Sequence, residues 1–341
     1  MTDASLDPGK SRVLVTGGAG FIGNEVARQL IASGASVTVV DNFRNGKREN
    51  LADIASDRLA VEAVDIRDLD AMARLLQGQD LVLHLACLGV RHSIHAPREN
   101  HDVNATGTLD LLELARKAGV RRFVNVSSSE IYGTAKTAPM TEEHPQWPMT
   151  VYGAAKLAGE RYTDAYWRTY RFPTTVIRPF NAFGPRSHHE GDSGEVIPKF
   201  MLRAMAGMPL VIHGDGAQTR DFTYVADTAR GIIAAGTHDA TVGETINLGN
   251  GREVSVKELA ELIARTLPGR NVQVEYGASR PGDVMRLIAD SSKAQRLIGF
   301  QPQVSLKRGL ELLRDWYQAS GEAPEALLAE ERTVNWAPAR T

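Results

Sequence analysis

In the first half of the chain, short continuous apolar runs alternate with stretches whose apolar positions recur every three or four residues. The runs at 13–16, 36–40, 59–64, 81–86 and 122–127 predict strands buried on both faces. The stretches at 20–33, 69–76, 104–118 and 152–170 predict amphipathic helices. Strand-helix alternation of this kind implies an α/β fold built on a doubly wound parallel sheet, because each crossover helix must cover one face of the sheet. A run at 174–178, closed by Pro179, predicts a sixth strand, after which the rhythm changes. A loop rich in Gly, His and Ser occupies 184–194, followed by a helix at 195–205 and a short strand at 210–213. The segments 222–236 and 245–248 read as returning to the sheet, and 254–267, 291–298 and 306–318 read as helices of a smaller C-terminal lobe. The expected organisation is a sheet domain over 10–180 joined by 222–250, a lobe over 181–221 and 251–320, and a polar tail at 321–341 with no assigned element.

With 341 residues the chain exceeds what one core supports, which agrees with a domain plus a lobe. Nothing in a net charge of -2 points to nucleic acid or an anionic membrane as partner. No apolar run approaches the ~20 residues of a membrane helix, and the polar start from Met1 to Lys10 is neither a signal peptide nor an anchor. The single cysteine, Cys87, excludes a disulfide within the chain and points to a reducing, cytoplasmic setting. Its place in an apolar run predicts a buried strand residue rather than a nucleophile. His188, His189 and Glu190 are adjacent and lack a further ligand, so no metal site is expected.

The first chemical signal is Thr16-Gly17-Gly18-Ala19-Gly20-Phe21-Ile22-Gly23, a strand end running through three spaced glycines into a helix. Gly17 allows a sharp turn, Gly20 lets backbone N–H groups approach a pyrophosphate, and Gly23 lets the helix pack close to the strand. Asp41 closes the next strand about 20 residues on, where a carboxylate bonds an adenosine ribose. The second signal is Tyr152 and Lys156, four apart and so on one helix face. An ammonium about 4 Å from a phenol contributes on the order of 4 kcal/mol at an effective dielectric of ~20, or up to about three pKa units, enough to make a phenolate accessible near neutrality. Ser127-Ser128-Ser129-Glu130 ends a predicted strand, where ligands gather in open α/β sheets.

Together these residues resemble the extended short-chain dehydrogenase/reductase family in its nucleotide-sugar epimerase and dehydratase branch. Further matches are Asp41-Asn42-Phe43-Arg44-Asn45-Gly46, Asp65-Ile66, His84-Leu85-Ala86, Asn104-Ala105-Thr106-Gly107-Thr108, Arg178-Pro179-Phe180-Asn181, Gly184-Pro185-Arg186 and Arg280-Pro281-Gly282-Asp283. The resemblance implies a Rossmann domain with NAD as a retained cofactor. It implies Tyr152 as catalytic base and acid, Lys156 as its tuner and ribose ligand, and Ser128 as the hydroxyl bridging to the sugar, with Ser129 and Glu130 beside it. Cofactor contacts are implied for Gly17, Gly20, Phe21, Ile22, Gly23, Asp41, Asn42, Asn45, Gly46, Asp65, Ile66, Leu85, Ala86, Cys87 and Asn104. Substrate contacts are implied for Asn181, Arg186, Lys199, Arg220 and Arg280, whose arginines suit a diphosphate. A homodimer packed through the helices at 104–118 and 152–170 is also implied.

Three reactions start from the same 4-keto sugar: 4-epimerisation, 4,6-dehydration and decarboxylation of a uronate. Dehydratases usually place Asp-Glu after the bridging hydroxyl, where this chain has Ser129-Glu130. Decarboxylases carry Ser-Glu but usually lack the Arg-Pro-Gly-Asp run. The expectation is therefore a UDP-sugar 4-epimerase of the UDP-glucuronate or UDP-glucose type, with decarboxylase and dehydratase as alternatives. Arg186, His188 and His189 are candidates to meet a uronate carboxylate. A non-catalytic NAD-binding sensor is the alternative from another class, opposed by the presence of Tyr152, Lys156 and Ser128 together.

Overall fold

The computed structural model describes residues 6–270 and 272–336. Seven parallel strands form the central sheet: β1 (Arg12–Thr16), β2 (Ser36–Asp41), β3 (Leu59–Ala63), β4 (Leu81–His84), β5 (Arg122–Val126), β6 (Thr174–Pro179) and β7 (Thr245–Leu248). Their spatial order is β7-β6-β5-β4-β1-β2-β3, so the winding direction reverses between β1 and β4. In such sheets ligands gather outside the carboxyl ends of the strands at that reversal.

Helices α1 (Phe21–Ser33) and α6 (Val225–Thr237) cover one face, where Val26, Leu30, Ala229 and Ile232 pack on Val13, Val15, Leu83 and Ile177. Helices α2 (Leu69–Leu75), α3 (Gly107–Lys117) and α4 (Val151–Tyr170) cover the other, where Met72, Leu111 and Tyr166 meet Leu14, Val82 and Phe123. The inner strands are buried on both sides, which explains their unbroken apolar runs. The return of 225–248 to the sheet takes the form of α6 and of β7 paired in register with β6.

The C-terminal lobe has its own core. Helices α5 (Val196–Met205), α7 (Val256–Arg265) and α8 (Leu306–Ser320) enclose Phe200, Met201, Leu259, Ile263, Leu310 and Leu313, with the parallel pair Leu210–His213 and Val274–Gly277 alongside. Asp221 ties the lobe to the sheet end. Its buried carboxylate accepts N–H bonds from Asn250, Gly251 and Ala289 at 2.8 to 3.0 Å, and burial pushes its pKa up to about 6.

Three local expectations need correction. β4 stops at His84 rather than 86, because the N–H groups of Leu85 and Ala86 turn to Thr16 Oγ1, 3.2 Å away. Cys87 consequently lies beyond the strand and is exposed, not buried within it. The helix expected over 104–118 is α3 preceded by a wide turn at Asp102–Thr106, in which Asn104 reaches back to the Leu88 peptide. No helix among the described residues is long and apolar enough to cross a membrane.

Candidate active site

A cleft of about 470 Å³ runs along the carboxyl ends of β1, β2, β4, β5 and β6 and on into the lobe. Its floor begins at the glycine loop. Gly17 has φ +66°, the left-handed region that a side chain resists, and its backbone passes against Ala86. Gly23 sits on the loop, where an added Cβ would lie 2.1 Å from the Gly17 carbonyl oxygen. The Gly23→Ala variant is accordingly expected to lose about 1–3 kcal/mol of stability by displacing the loop, measured by thermal melting. At Gly20 an added Cβ would meet the Gly17 carbonyl alone and project into the cleft. No side chain caps the N-terminus of α1, so its N–H groups are open to an anion.

Asp41, at the end of β2, braces this loop. One carboxylate oxygen accepts from Ala19 N at 3.0 Å and the other from Phe43 N at 2.8 Å, yet burial raises its pKa. Asn42, Asn45 and Gly46 line the same end of the cleft with Ile66. Asp65 is gripped by the guanidinium of Arg67 and by Asn42, which hold its carboxyl well below the usual range. Leu85, Ala86 and the exposed Cys87 form the rim after β4.

Tyr152 and Lys156 project from the first turns of α4, whose N-terminus is capped by Thr150. Tyr152 is 8% exposed, with Ser128 beside its phenol in the cleft lining. Burial pushes the phenol up, with Cys87, Glu130 and Glu195 adding to the rise and Ser128 opposing it. The Lys156 ammonium, one turn further along α4, donates to the Val126 carbonyl at 2.7 Å. Ser129 and Glu130 complete this wall, and burial raises the Glu130 carboxyl against the pull of Arg220, Arg280 and Arg91.

Opposite, Arg220 and Arg280 both bond one oxygen of Asp283, at 2.7 and 2.5 Å. Asn181 lines the cleft near Asp221. Two expected contacts are not at the cleft surface. Asn104 is buried beneath it, bonding both N and O of Leu88 at 2.9 Å. Arg186 has φ +66° and turns its side chain to Asp53, 2.9 Å away and outside the cleft. Lys199 does line the cleft, but its ammonium donates to Arg332 O at 2.8 Å and pairs with Glu331 at 3.5 Å.

Sequence reasoning missed several residues of this site. Glu195 faces Tyr152 with its pKa pushed up to about 7 by burial. Arg91 lines the cleft beside it. The tail, to which the sequence assigned no element, contains a short helix, Pro324–Leu327, and its described residues then run back to the lobe. Glu331 pairs with Arg203 at 2.7 Å, Asn335 bonds Gly194 O at 3.0 Å, and Trp336 packs edge-on to His213. Complementary charges at Lys199, Arg203 and Glu331 were the only signal for this return, and nothing local ties them together in sequence.

The family described as GDP-mannose 4,6 dehydratase matches residues 14–313. The chain is 37% identical to UDP-glucose 4-epimerase of Mycolicibacterium smegmatis, over 88% of this chain and 96% of that protein. It is 34% identical to UDP-glucuronic acid decarboxylase 1 of Xenopus tropicalis, over 88% of this chain and 70% of that protein. Among solved structures, UDP-glucuronic acid 4-epimerase from Bacillus cereus, in complex with UDP-glucuronic acid and NAD, superposes with a TM-score of 0.85. Its identity is 31%, covering 91% of this chain and 99% of that one.

Proposed function

The chain belongs to the NAD-dependent nucleotide-sugar epimerase and dehydratase family of extended short-chain dehydrogenase/reductases, and from that premise we propose that it inverts carbon 4 of a UDP-sugar. The observation that carries this reading is Tyr152 with Ser128 beside it, set in one cleft between the glycine loop and the Arg220–Asp283–Arg280 cluster.

NAD fits the residues present. The uncapped N-terminus of α1 and the bare Gly20 accept a pyrophosphate, and Asp41 stands where a ribose hydroxyl would be and a 2′-phosphate would be repelled. Bound there, the dinucleotide supplies reversible hydride acceptance from carbon 4 and, when oxidised, a positive ring charge. Tyr152 removes the proton of the 4-hydroxyl and returns it, with Ser128 holding the same oxygen. Lys156 keeps positive charge on that wall of the cleft. Arg220 and Arg280 hold the diphosphate while the sugar turns, so the two faces of the ring are presented in succession.

A second reading, decarboxylation, is favoured by one observation. Ser129-Glu130 places a buried carboxyl with a raised pKa beside the base, where a proton donor is needed. Incubating the purified protein with UDP-, dTDP- and GDP-sugars separates the outcomes by mass and NMR. Unchanged mass with an inverted C4 proton is expected, whereas loss of carbon dioxide or of water would replace the epimerase reading. Retained NAD without turnover of any sugar would leave a sensor. Cytoplasmic location and a homodimer packed through α3 and α4, which contact each other on one face of the sheet, complete the proposal.

A further inference from the structure

Three of the arginines that face the far half of the cleft, Arg220, Arg280 and Arg91, are not equivalent. Arg220 and Arg280 are fixed by Asp283. Arg91, in the first turn of the short helix Val90–His95, has no hydrogen-bond or ion-pair partner among the described residues, and its Nε is buried with none. Leaving the buried Nε of a half-buried guanidinium unpaired is unfavourable, which marks a place for a ligand anion. Glu130, Glu195 and Asp283 act on it through space, as does Arg280, and it lines the same cleft as Tyr152, Arg220 and Arg280. A sugar ring joined to a diphosphate on those two arginines and presented to Tyr152 lies in that cleft. Arg186, the residue that sequence reasoning offered to an anionic sugar, is on Asp53 instead.

We propose that Arg91 is the counter-ion of a carboxylate on the sugar, which makes uronate-bearing nucleotide sugars the preferred substrates. The inference rests on the epimerase reading and adds to it the substrate class. A planar guanidinium matches a carboxylate with two parallel N–H donors, a fit that an ammonium lacks. The diphosphate already has its own two arginines, leaving the third for a charge at the other end of the substrate.

The test compares UDP-glucuronate and UDP-glucose, which share the diphosphate, on the full chain. The wild type is expected to show the lower KM for the uronate. Arg91→Met should raise that KM roughly 10- to 100-fold and leave the value for UDP-glucose within about threefold, with Arg91→Lys between the two. An equal rise for both sugars would assign the guanidinium to the diphosphate and overturn the inference, as would no rise for either. Should Arg91→Met fail to fold, the wild-type ratio decides, and a KM no lower for the uronate sinks the proposal. Turnover of UDP-glucose without binding of UDP-glucuronate removes this inference and leaves the epimerase reading intact. Release of carbon dioxide removes the epimerase reading, while the Arg91 comparison still judges the carboxylate contact. Turnover of neither sugar removes both.

Discussion

Replacing Tyr152 with phenylalanine should lower kcat by roughly 10²- to 10⁴-fold, the usual contribution of a positioned acid-base group, with KM and bound NAD little changed. The phenylalanine ring fills the same buried volume, so the packing of the first turns of α4 survives. What disappears is the phenol oxygen that stands beside Ser128 in the cleft. Because burial raises the phenol, the residue is a poor base until positive charge is placed beside it, and the predicted loss therefore appears in turnover rather than in binding. Rates within tenfold of the wild type would move the base elsewhere, with Glu195 the next candidate, since it faces the same space with a pKa pushed up to about 7.

The second large effect concerns Glu160, two turns beyond Tyr152 on the same helix. Fully buried, it receives Arg178 Nε at 2.9 Å and Nη2 at 2.7 Å, and Arg178 also donates to Tyr132 Oη at 2.7 Å and Glu142 O at 3.0 Å. Tyr132 in turn donates to Asn247 on β7 at 2.7 Å. Glu160→Ala leaves a guanidinium on β6 with no counter-charge, and about 3–5 kcal/mol of stability should be lost, measured by chemical unfolding. Replacing both partners, as in Glu160→Leu with Arg178→Met, should recover most of that loss, because the penalty belongs to the stranded charge. If the single and double variants are equally destabilised, the pair contributes by shape and not by charge.

Much of the architecture was readable because parallel strands buried on both faces leave continuous apolar runs, and the helices between them keep a covering stripe. The glycine loop was readable for a related reason: positions without a Cβ are demanded where backbone meets backbone, as Gly23 meets Gly17. Side-chain direction was not readable. Arg186 lies within a matching motif, yet a positive φ sends it to Asp53. Asn104 also matches, but the wide turn at Asp102–Thr106 commits both ends of its amide to the Leu88 backbone. Lys156 shares a helix face with Tyr152 as its spacing implied, but the bond of its ammonium to the Val126 carbonyl was not readable. Pairings between distant segments, such as Arg178 with Glu160 or Arg203 with Glu331, join residues whose proximity exists only after folding.

The bonds from Asp283 to Arg220 and Arg280 have a consequence for the thermodynamics of capture. Immobilising a long, rotamer-rich side chain at an interface costs about 0.5–1.5 kcal/mol. Here that ordering is completed during folding, so a nucleotide meets two forks already aimed. For a neutral sugar most of the affinity should accordingly reside in the handle, and plain UDP should compete nearly as well as UDP-glucose.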